Sequence, residues 1–326
     1  MSSQNPSDIY QHMQAAVDIV GTSPHPTNKV AATIAGENFW FRQTNQWPHA
    51  IEEAFGHEQK IGNSSGTVHA ETACLIIAMA PTEGASMFIT DPPCPNCMKN
   101  MAEAGIAKLY IDHKGFDKDW AKRRGDDFEN MSMRVAEKAG IDVHVIYRKE
   151  ERFEIISAHT PGYRPQEENP ALIESIDLGM HIEDILDDDL VDCGDIFTNY
   201  IDAKKQEYGD EPFAVAFAHD EIGKFKAITV DRHPSIGYTY ETVESKEDKY
   251  SFILQPVNRL MMVAARHGLN ILHGNLYSSR VPTSREFVNM IRADLTHIHI
   301  GDETQSRDEW GPKALKQLQK AQIILT

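Results

Sequence analysis

Residues that bind metal ions and move protons stand close together in the first third of the chain: His69, Glu71, Cys94 and Cys97. They lie in the segments "VHAET" and "TDPPCPNC". Pro93 cannot extend a helix backwards, so we expect Cys94 at or near a helix N-terminus and Cys97 one turn later. Both sulfurs can then face one point, and the positive end of the helix favours thiolate, the form that binds metals.

This set of side chains fits a catalytic zinc ion, which takes three protein ligands and leaves its fourth position to water. We predict that His69, Cys94 and Cys97 bind Zn²⁺. Glu71 then takes a proton from water and carries it onward as a general base and acid. A Cys-x-x-Cys pair alone would also fit a redox site, and a closed structural zinc site would need a fourth Cys or His.

The order of these motifs carries a family resemblance. His-x-Glu followed by Pro-Cys-x-x-Cys is the signature of zinc deaminases, and here it reads "HAE" and "PCPNC". Together with "HPTNKVAATIAG" and "TNQWP", about the first 150 residues resemble the cytidine/deoxycytidylate deaminase superfamily, and the deoxycytidylate branch most. The resemblance implies a zinc-dependent hydrolase that replaces the amine of a cyclic amidine and releases ammonia. It also implies that Asn45, in "TNQWP", contacts the substrate.

The substrate class follows from the resemblance and from the charge of the chain. The family implies a small molecule, namely a nucleoside, nucleotide or nucleobase, and most of all a cytosine compound. The net charge of −17 opposes binding to nucleic acid, which argues against adenosine in RNA or a base in single-stranded DNA. Free cytosine, guanine and adenosine stay open as alternative substrates. A non-catalytic zinc-containing binding or regulatory protein is the alternative from another class, although such a protein has no need of Glu71.

Helix and strand patterns alternate along the first half, which predicts an α/β domain. "KVAATIAG" and "NFWFRQTN" read as two strands joined through Gly36, and "SMFITD", "AKLYIDH" and "IDVHVIYR" as further strands. The second half repeats this order. "LMMVAA" corresponds to "LIIAMA", and residues 286–300 align without a gap on 97–111. We predict two three-layer cytidine-deaminase-like domains, each a mixed sheet of about five strands covered by helices.

The duplication predicts how the chain is divided. Residues 1–150 form the catalytic zinc deaminase domain, 151–190 an acidic linker, and 191–326 a degenerate copy. The copy has no zinc ligands, because other residue types stand opposite those of the motif: Leu254 or Gln255 opposite His69, Pro256 or Val257 opposite Glu71, Thr283 opposite Cys94, and Glu286 opposite Cys97. Since the family associates through apolar faces, we expect a homo-oligomer, with the two domains of one chain forming a pseudo-dimer.

The cellular location is predicted from what the sequence does not contain. The N-terminus has no basic segment followed by an apolar run, and no apolar run approaches the roughly 18 to 20 residues that span a bilayer. Four cysteines are too few for a disulfide framework. The sequence therefore predicts a soluble, cytoplasmic protein without a membrane partner.

Overall fold

The computed structural model describes residues 6–57, 59–118, 131–185, 190–243 and 251–326. These residues form a mixed α/β structure with one six-stranded and one five-stranded mixed sheet, which confirms the predicted fold class. No helix within these residues is long and apolar enough to cross a membrane.

The elements are numbered here in chain order. The α-helices of the described residues are α1 Pro6–Ile19, α2 His49–Phe55, α3 Ala70–Ile76, α4 Pro95–Glu103, α5 Met133–Ala139, α6 Gly194–Tyr208, α7 Pro256–His267, α8 Ser284–Arg292 and α9 Trp310–Lys320. The strands are β1 Ala31–Ala35, β2 Trp40–Thr44, β3 Lys60–Ile61, β4 Ser64–Ser65, β5 Ser86–Ile89, β6 Lys108–Asp112, β7 Asp142–Tyr147, β8 Arg152–Ser157, β9 Leu172–Ser175, β10 Phe213–His219, β11 Phe225–Asp231, β12 His233–Pro234, β13 Ile253–Leu254, β14 Asn270–Val281 and β15 His299–Ser306.

The chain forms two compact units, and each contains a short stretch from the opposite half of the sequence. The N-terminal unit comprises Met1–Gln46, Val68–Glu168 and Pro234–Ile253. The C-terminal unit comprises Trp47–Thr67, Asn169–His233 and Leu254–Thr326. The division into domains at 150 and 190 stays a prediction from the sequence.

The sheet of the N-terminal unit has the strand order β2-β1-β5-β6-β7-β8. β1 pairs antiparallel with β2 and β5, β6 runs parallel to β5 and β7, and β8 is an antiparallel edge strand. All five residues of β1 are buried, as expected for a strand covered on both faces. Across neighbouring strands the rings of Phe88, Tyr110 and His144 stack with centroids 4.8 Å apart. The sheet thus supports α3, which packs on β1 and β2.

The sheet of the C-terminal unit has the order β15-β14-β10-β11-β9. β10 pairs antiparallel with β11 and β14, and β14 runs parallel to β15. The order of hairpin, helix, strand, helix and parallel strand repeats that of β1 to β6. Phe197 from α6 packs against Phe213 and Phe217 in the core of this unit.

Some elements depart from the sequence-based expectation. β8 and β9 lie within residues 151–190, which the sequence marks as a connection, and the sheet of the N-terminal unit has six strands rather than five. The predicted last strand, "AQIILT", is a single parallel bridge from Leu325 to His297. The predicted helix over "DFENMSMRVAEKAG" begins at residues outside the described ones, as does part of the acidic run "HIEDILDDDL", residues 186–189.

The stretch Pro234–Ile253 is bound to the N-terminal unit by specific contacts. The Lys99 ammonium, buried on α4, donates hydrogen bonds to the carbonyls of Ser251 at 2.5 Å and Ile253 at 3.2 Å. Gly237 has φ +89°, and a Cβ there would lie 2.2 Å from the Lys138 carbonyl oxygen. Only glycine fits this approach without strain. The helix that begins at Cys94 therefore also holds a segment that lies about 150 residues later in the chain.

Candidate metal and catalytic site

Two helix N-termini of the N-terminal unit position the metal-binding side chains. His69 is the N-cap of α3, and Cys94 is the N-cap of α4, each with extended backbone. Pro95 occupies the first turn of α4, where proline fits because its missing N–H would have no partner within the helix. The Ser132 hydroxyl donates to the Pro93 carbonyl at 3.0 Å and fixes the loop that leads into α4.

The three predicted ligands come together in the structure. The Nδ1 atom of His69 lies 3.5 Å from the Cys94 Sγ and 3.3 Å from the Cys97 Sγ, and the two sulfurs are 3.6 Å apart. All three donor atoms lie within 4.8 Å of one another, so they can hold a single metal ion. Cys74, which the sequence assigns to the core, is fully buried and its thiol donates to the Ala32 carbonyl.

The two thiols show that this donor set suits a cation. Their mutual hydrogen bond lowers the pKa of Cys94 well below its usual range and raises the pKa of Cys97 well above it. Burial adds to the rise at Cys97, and the imidazole of His69 favours the thiolate of Cys94. One proton is thus shared between two buried sulfurs, and a divalent cation in its place stabilises both as thiolates. The donors present fit a zinc ion.

Glu71 is buried in the first turn of α3, with 3% of its surface exposed. Burial raises the pKa of its carboxyl to about 7, although the nearby His69 opposes the shift. A carboxyl with a pKa near neutrality can both accept and release a proton at physiological pH. The structure therefore holds a buried carboxyl two residues along the helix from His69.

A pair of polar side chains orients the Cys97 sulfur from behind. The Thr72 hydroxyl lies 3.7 Å from the Cys97 Sγ, and the side-chain amide of Asn100 donates to that hydroxyl at 3.1 Å. All three residues are buried. Such outer contacts restrict the orientation of a metal ligand.

The Asn45 side chain is used to hold the loop that precedes β1. Its Oδ1 accepts hydrogen bonds from the Val30 N–H at 2.9 Å and the Ser23 hydroxyl at 2.8 Å. Its Nδ2 donates to the Asn28 carbonyl at 2.8 Å. Asn45 therefore positions residues 23–30, and its contact with a substrate stays a prediction.

The structure brings further polar residues to this site that sequence reasoning missed. Asp91 is buried close enough to Glu71 to raise its pKa, and the Lys118 ammonium contacts both Asp91 oxygens, at 2.6 and 2.8 Å. His25, to which the sequence assigns no role, lies near His69. Its pKa is lowered, mainly because the imidazole is partly buried and secondly because His69 is close. Gly115 lies close to the backbone next to Asp91, because a Cβ at this position would lie 2.4 Å from the Thr90 carbonyl oxygen. Asp91 directly precedes "PPCPNC", so the sequence itself points to this acid as a neighbour of the site. No nearby motif points to its partner, Lys118.

The C-terminal unit has a counterpart of this site, built from the same two helix positions. Gln255 is the N-cap of α7 and Thr283 is the N-cap of α8, so they correspond to His69 and Cys94. Glu286 stands one turn into α8, as Cys97 does in α4. Its carboxylate accepts hydrogen bonds from the Thr283 N–H and hydroxyl, both at 2.8 Å, and from the Asn258 N–H at 3.1 Å.

Comparison with known proteins gives a family match for the segment that contains the site. Residues 6–113 match the model described as "Cytidine and deoxycytidylate deaminase zinc-binding region". The predicted zinc cofactor is thereby confirmed: the matching region is zinc-binding, and the chain has a His/Cys/Cys group that can hold the ion.

Curated relatives match the same part of the chain. A protein of Aliivibrio fischeri named "Uncharacterized deaminase in luxG 3'region" is 27% identical over 128 residues, which is 39% of this chain and 85% of the relative. Deoxycytidylate deaminase of Enterobacteria phage T4 is 31% identical over 112 residues, which is 33% of this chain. The matching region spans about half the length of that phage enzyme, 52%.

Among solved structures, the dCMP deaminase of cyanophage S-TIM5 in complex with dCMP and dUMP aligns with this chain at 22% identity and a TM-score of 0.35. The alignment covers 44% of this chain and all of the cyanophage chain. RibD of Acinetobacter baumannii aligns at 16% identity with a TM-score of 0.29, covering 45% of this chain and 37% of RibD.

Proposed function

We propose that this chain, whose residues 6–113 match the zinc-binding region of the cytidine and deoxycytidylate deaminases, hydrolyses the exocyclic amine of a cytosine nucleoside or nucleotide. Water and the amine-bearing ring carbon are converted to a carbonyl and ammonia. The named deoxycytidylate deaminases among its relatives support a cytosine substrate.

One observation carries this proposal. The donor atoms of His69, Cys94 and Cys97 meet within 4.8 Å, beside the buried carboxyl of Glu71. A purely structural metal site has no use for a buried carboxyl next to its ligands, whereas hydrolysis needs a group there that can carry a proton. The combination of ligands and carboxyl therefore favours hydrolysis over a purely structural site.

The roles of the residues follow from their chemistry. A zinc ion held by His69, Cys94 and Cys97 supplies Lewis acidity that makes water nucleophilic near neutral pH. Glu71, as carboxylate, takes a proton from the attacking water. It then delivers that proton to the ring nitrogen next to the amine-bearing carbon, and helps transfer a proton to the departing amine. Thr72 and Asn100 keep the Cys97 sulfur oriented throughout.

The surroundings of the site point to a small molecule. The net charge of −17 opposes the phosphate backbone of a polynucleotide. The ion pair of buried Asp91 with partly exposed Lys118 lies in the same unit as the loop that Asn45 holds, and both border the substrate side in our proposal. Cytoplasmic residence and self-association stay predictions from the sequence.

The test is ammonia release by the zinc-loaded full chain. The substrates are cytidine, deoxycytidine, their monophosphates, cytosine, guanine, adenosine and a short single strand of DNA. We expect release from a cytosine nucleoside or nucleotide. In Glu71→Gln we expect turnover to fall roughly 10²- to 10⁴-fold with unchanged zinc content, because only the proton carrier is lost.

The matched control is Glu37→Gln, which removes one carboxylate from an exposed bend between β1 and β2. Its turnover should equal that of the unchanged chain. Full activity in Glu71→Gln would refute the role of this carboxyl. If the zinc-loaded chain released no ammonia from any compound of the panel, the proposed reaction would be refuted and a binding protein would be favoured.

A further inference from the structure

Two buried polar side chains, Thr72 and Asn100, join the helices that carry the metal-binding residues. Thr72 lies in the first turn of α3, three residues after His69, and Asn100 lies three residues after Cys97 in α4. The Asn100 amide donates to the Thr72 hydroxyl at 3.1 Å, and the oxygen of that hydroxyl lies 3.7 Å from the Cys97 Sγ. Amide, hydroxyl and sulfur thus form one chain of contacts that ends on a predicted zinc ligand.

The hydroxyl of Thr72 can only donate to the sulfur of a metal-bound Cys97. A cysteine that binds zinc is a thiolate, which has no proton and therefore only accepts hydrogen bonds. The amide N–H of Asn100 already points at the Thr72 oxygen. The hydroxyl hydrogen is left to point at the sulfur, where it makes a charge-assisted hydrogen bond.

The two sulfurs differ in the source of their hydrogen bonds. Cys94, the N-cap of α4, accepts one from the backbone N–H of Cys97, which lies in the first turn and has no carbonyl partner within the helix. The next N–H, that of Met98, already donates to the Cys94 carbonyl at 3.0 Å. From Met98 onward the N–H groups of α4 serve the helix itself, so a donor for the Cys97 sulfur has to come from another element.

Thr72 supplies this donor from α3. Thr72, Cys97 and Asn100 each expose 4% of their surface or less, so water has little access to take the place of the hydroxyl. We propose that Thr72 is a positioning residue of the metal site, whose hydroxyl gives the Cys97 thiolate the hydrogen bond that the start of α4 gives to Cys94. The inference rests on the predicted zinc ligands and not on the proposed reaction.

The C-terminal unit has the amide contact without the hydroxyl. By the correspondence of the helix caps, Asn258 stands opposite Thr72 and Asn289 opposite Asn100. The Asn289 amide donates to the side-chain oxygen of Asn258 at 2.7 Å, so an amide links the two helices in both units. An amide oxygen has no proton to give, and Glu286 stands where the other unit has the sulfur. The hydroxyl thus occurs in the unit that has the sulfur, which separates its role from that of joining the helices.

The experiment compares the full chain with Thr72→Val, which replaces the hydroxyl by a methyl group of similar size. Zinc affinity is measured by competition with a chelating dye, and we expect the dissociation constant to rise about 10- to 100-fold, as for other lost contacts behind a metal ligand. In the cobalt-loaded chain we expect the sulfur-to-cobalt charge-transfer band to move to lower energy. A thiolate without this hydrogen bond gives up electron density more readily.

Two further variants test whether the hydroxyl itself is responsible. Thr72→Ser keeps the hydroxyl and should restore both the zinc affinity and the position of the cobalt band. Thr82→Val removes another buried hydroxyl of the N-terminal unit, one that donates to the Ala104 carbonyl at 2.7 Å. This matched control should leave both readouts unchanged.

The proposal is overturned if Thr72→Val leaves the zinc affinity and the cobalt band unchanged, or if Thr82→Val changes them equally. Weaker zinc binding with the band in place would also overturn it, because packing rather than a hydrogen bond to sulfur would then be lost. Thr72→Ala, which adds no methyl group beside the sulfur, repeats the test if Thr72→Val folds poorly. Both readouts work without substrate, so their result does not depend on the ammonia assay.

Discussion

The two units treat the same pair of helix N-termini in different ways. In the N-terminal unit, His69 and Cys94 cap the helices, and Cys97 adds a second buried sulfur that a cation must neutralise. In the C-terminal unit, Glu286 bridges both helices directly by accepting backbone hydrogen bonds at Thr283 and Asn258. The two sulfurs of the N-terminal unit need a metal ion, whereas in the C-terminal unit the Glu286 side chain joins the two helix starts without one.

The difference shows how the C-terminal unit can satisfy its two helix starts with protein groups alone. A capping box of Thr283 and Glu286 stabilises the start of α8, a contribution of about 1 kcal/mol for a typical cap. The same carboxylate also satisfies an N–H at the start of α7. The N–H groups of Thr283 and Asn258 therefore have a partner at this point without a metal ligand.

The largest effect is expected when the Thr/Glu capping residues of α8 replace the two cysteines at the start of α4 in the N-terminal unit. We expect the double variant Cys94→Thr/Cys97→Glu to lose zinc almost entirely, from about one ion per chain to less than about a tenth, because soft thiolate ligands are gone. Deaminase turnover should vanish with it. Zinc per chain, measured by mass spectrometry of the metal, decides the outcome.

The control is Cys193→Ala, which removes a buried cysteine of the C-terminal unit outside the donor set. It should retain one zinc ion per chain. Full zinc content in the double variant would show that other residues hold the metal.

The reverse exchange, which places the three ligand types in the C-terminal unit, tests whether the helix caps of the two units correspond. We expect Gln255→His/Thr283→Cys/Glu286→Cys to raise the zinc content from about one to about two ions per chain, because the three donors would stand at the positions of the native ligands. No second catalytic site should arise, since Val257 stands where the N-terminal unit has Glu71. An unchanged zinc content in the folded variant would refute the alignment of the two sites.

The smallest expected effect concerns the cap itself. Glu286→Ala should lower the free energy of unfolding by about 1 to 3 kcal/mol, because it leaves buried N–H groups without an acceptor. Urea unfolding measures this loss. Glu309→Ala, at the exposed start of α9, is the control and should change stability by less than about 0.5 kcal/mol.

The cost of Glu286→Ala should also depend on pH. Burial raises the pKa of Glu286, and the hydrogen bonds from Thr283 and Asn258 only partly oppose it. The pKa of this side chain is therefore higher in the folded chain than in the unfolded chain. Its stabilising contribution is complete at a pH below the unfolded pKa, and it is lost as the pH rises through the folded pKa. The variant should therefore lose more stability near pH 4 than near pH 8. A cost that grows with pH would show that the hydrogen bonds outweigh burial.

The core of the site was predictable from sequence because its signals are local. His69 and Glu71 share one helix start, and Cys94 and Cys97 share another, so residue type and spacing were enough to predict where their side chains meet. The pairing of Asp91 with Lys118 joins positions 27 residues apart, with α4 and β6 between them, and no periodic pattern marks it. Matching His69 to Leu254 or Gln255 was ambiguous by one residue until the helix caps resolved it.

Long-range connections of the fold were also beyond sequence reasoning. β8 and β9 are short strands without regular alternation in burial, and only the sheets that receive them define them. The inclusion of Trp47–Thr67 in the C-terminal unit depends on contacts such as the Arg285 guanidinium donating to the Thr67 carbonyl at 2.6 Å. Such pairs are separated by more than 200 residues, and composition alone carries no information about them.

The stretch Pro234–Ile253 has a consequence for biosynthesis. Because the N-terminal unit includes it, a ribosome that has completed the first 190 residues has not yet supplied all the chain that this unit contains. At about 5 to 20 residues per second, Ser251 and Ile253 emerge seconds after Lys99. The carbonyls of Ser251 and Ile253 thus reach the Lys99 ammonium late, so the N-terminal unit completes its contacts late in translation, and a chain cut between the halves would lack part of this unit.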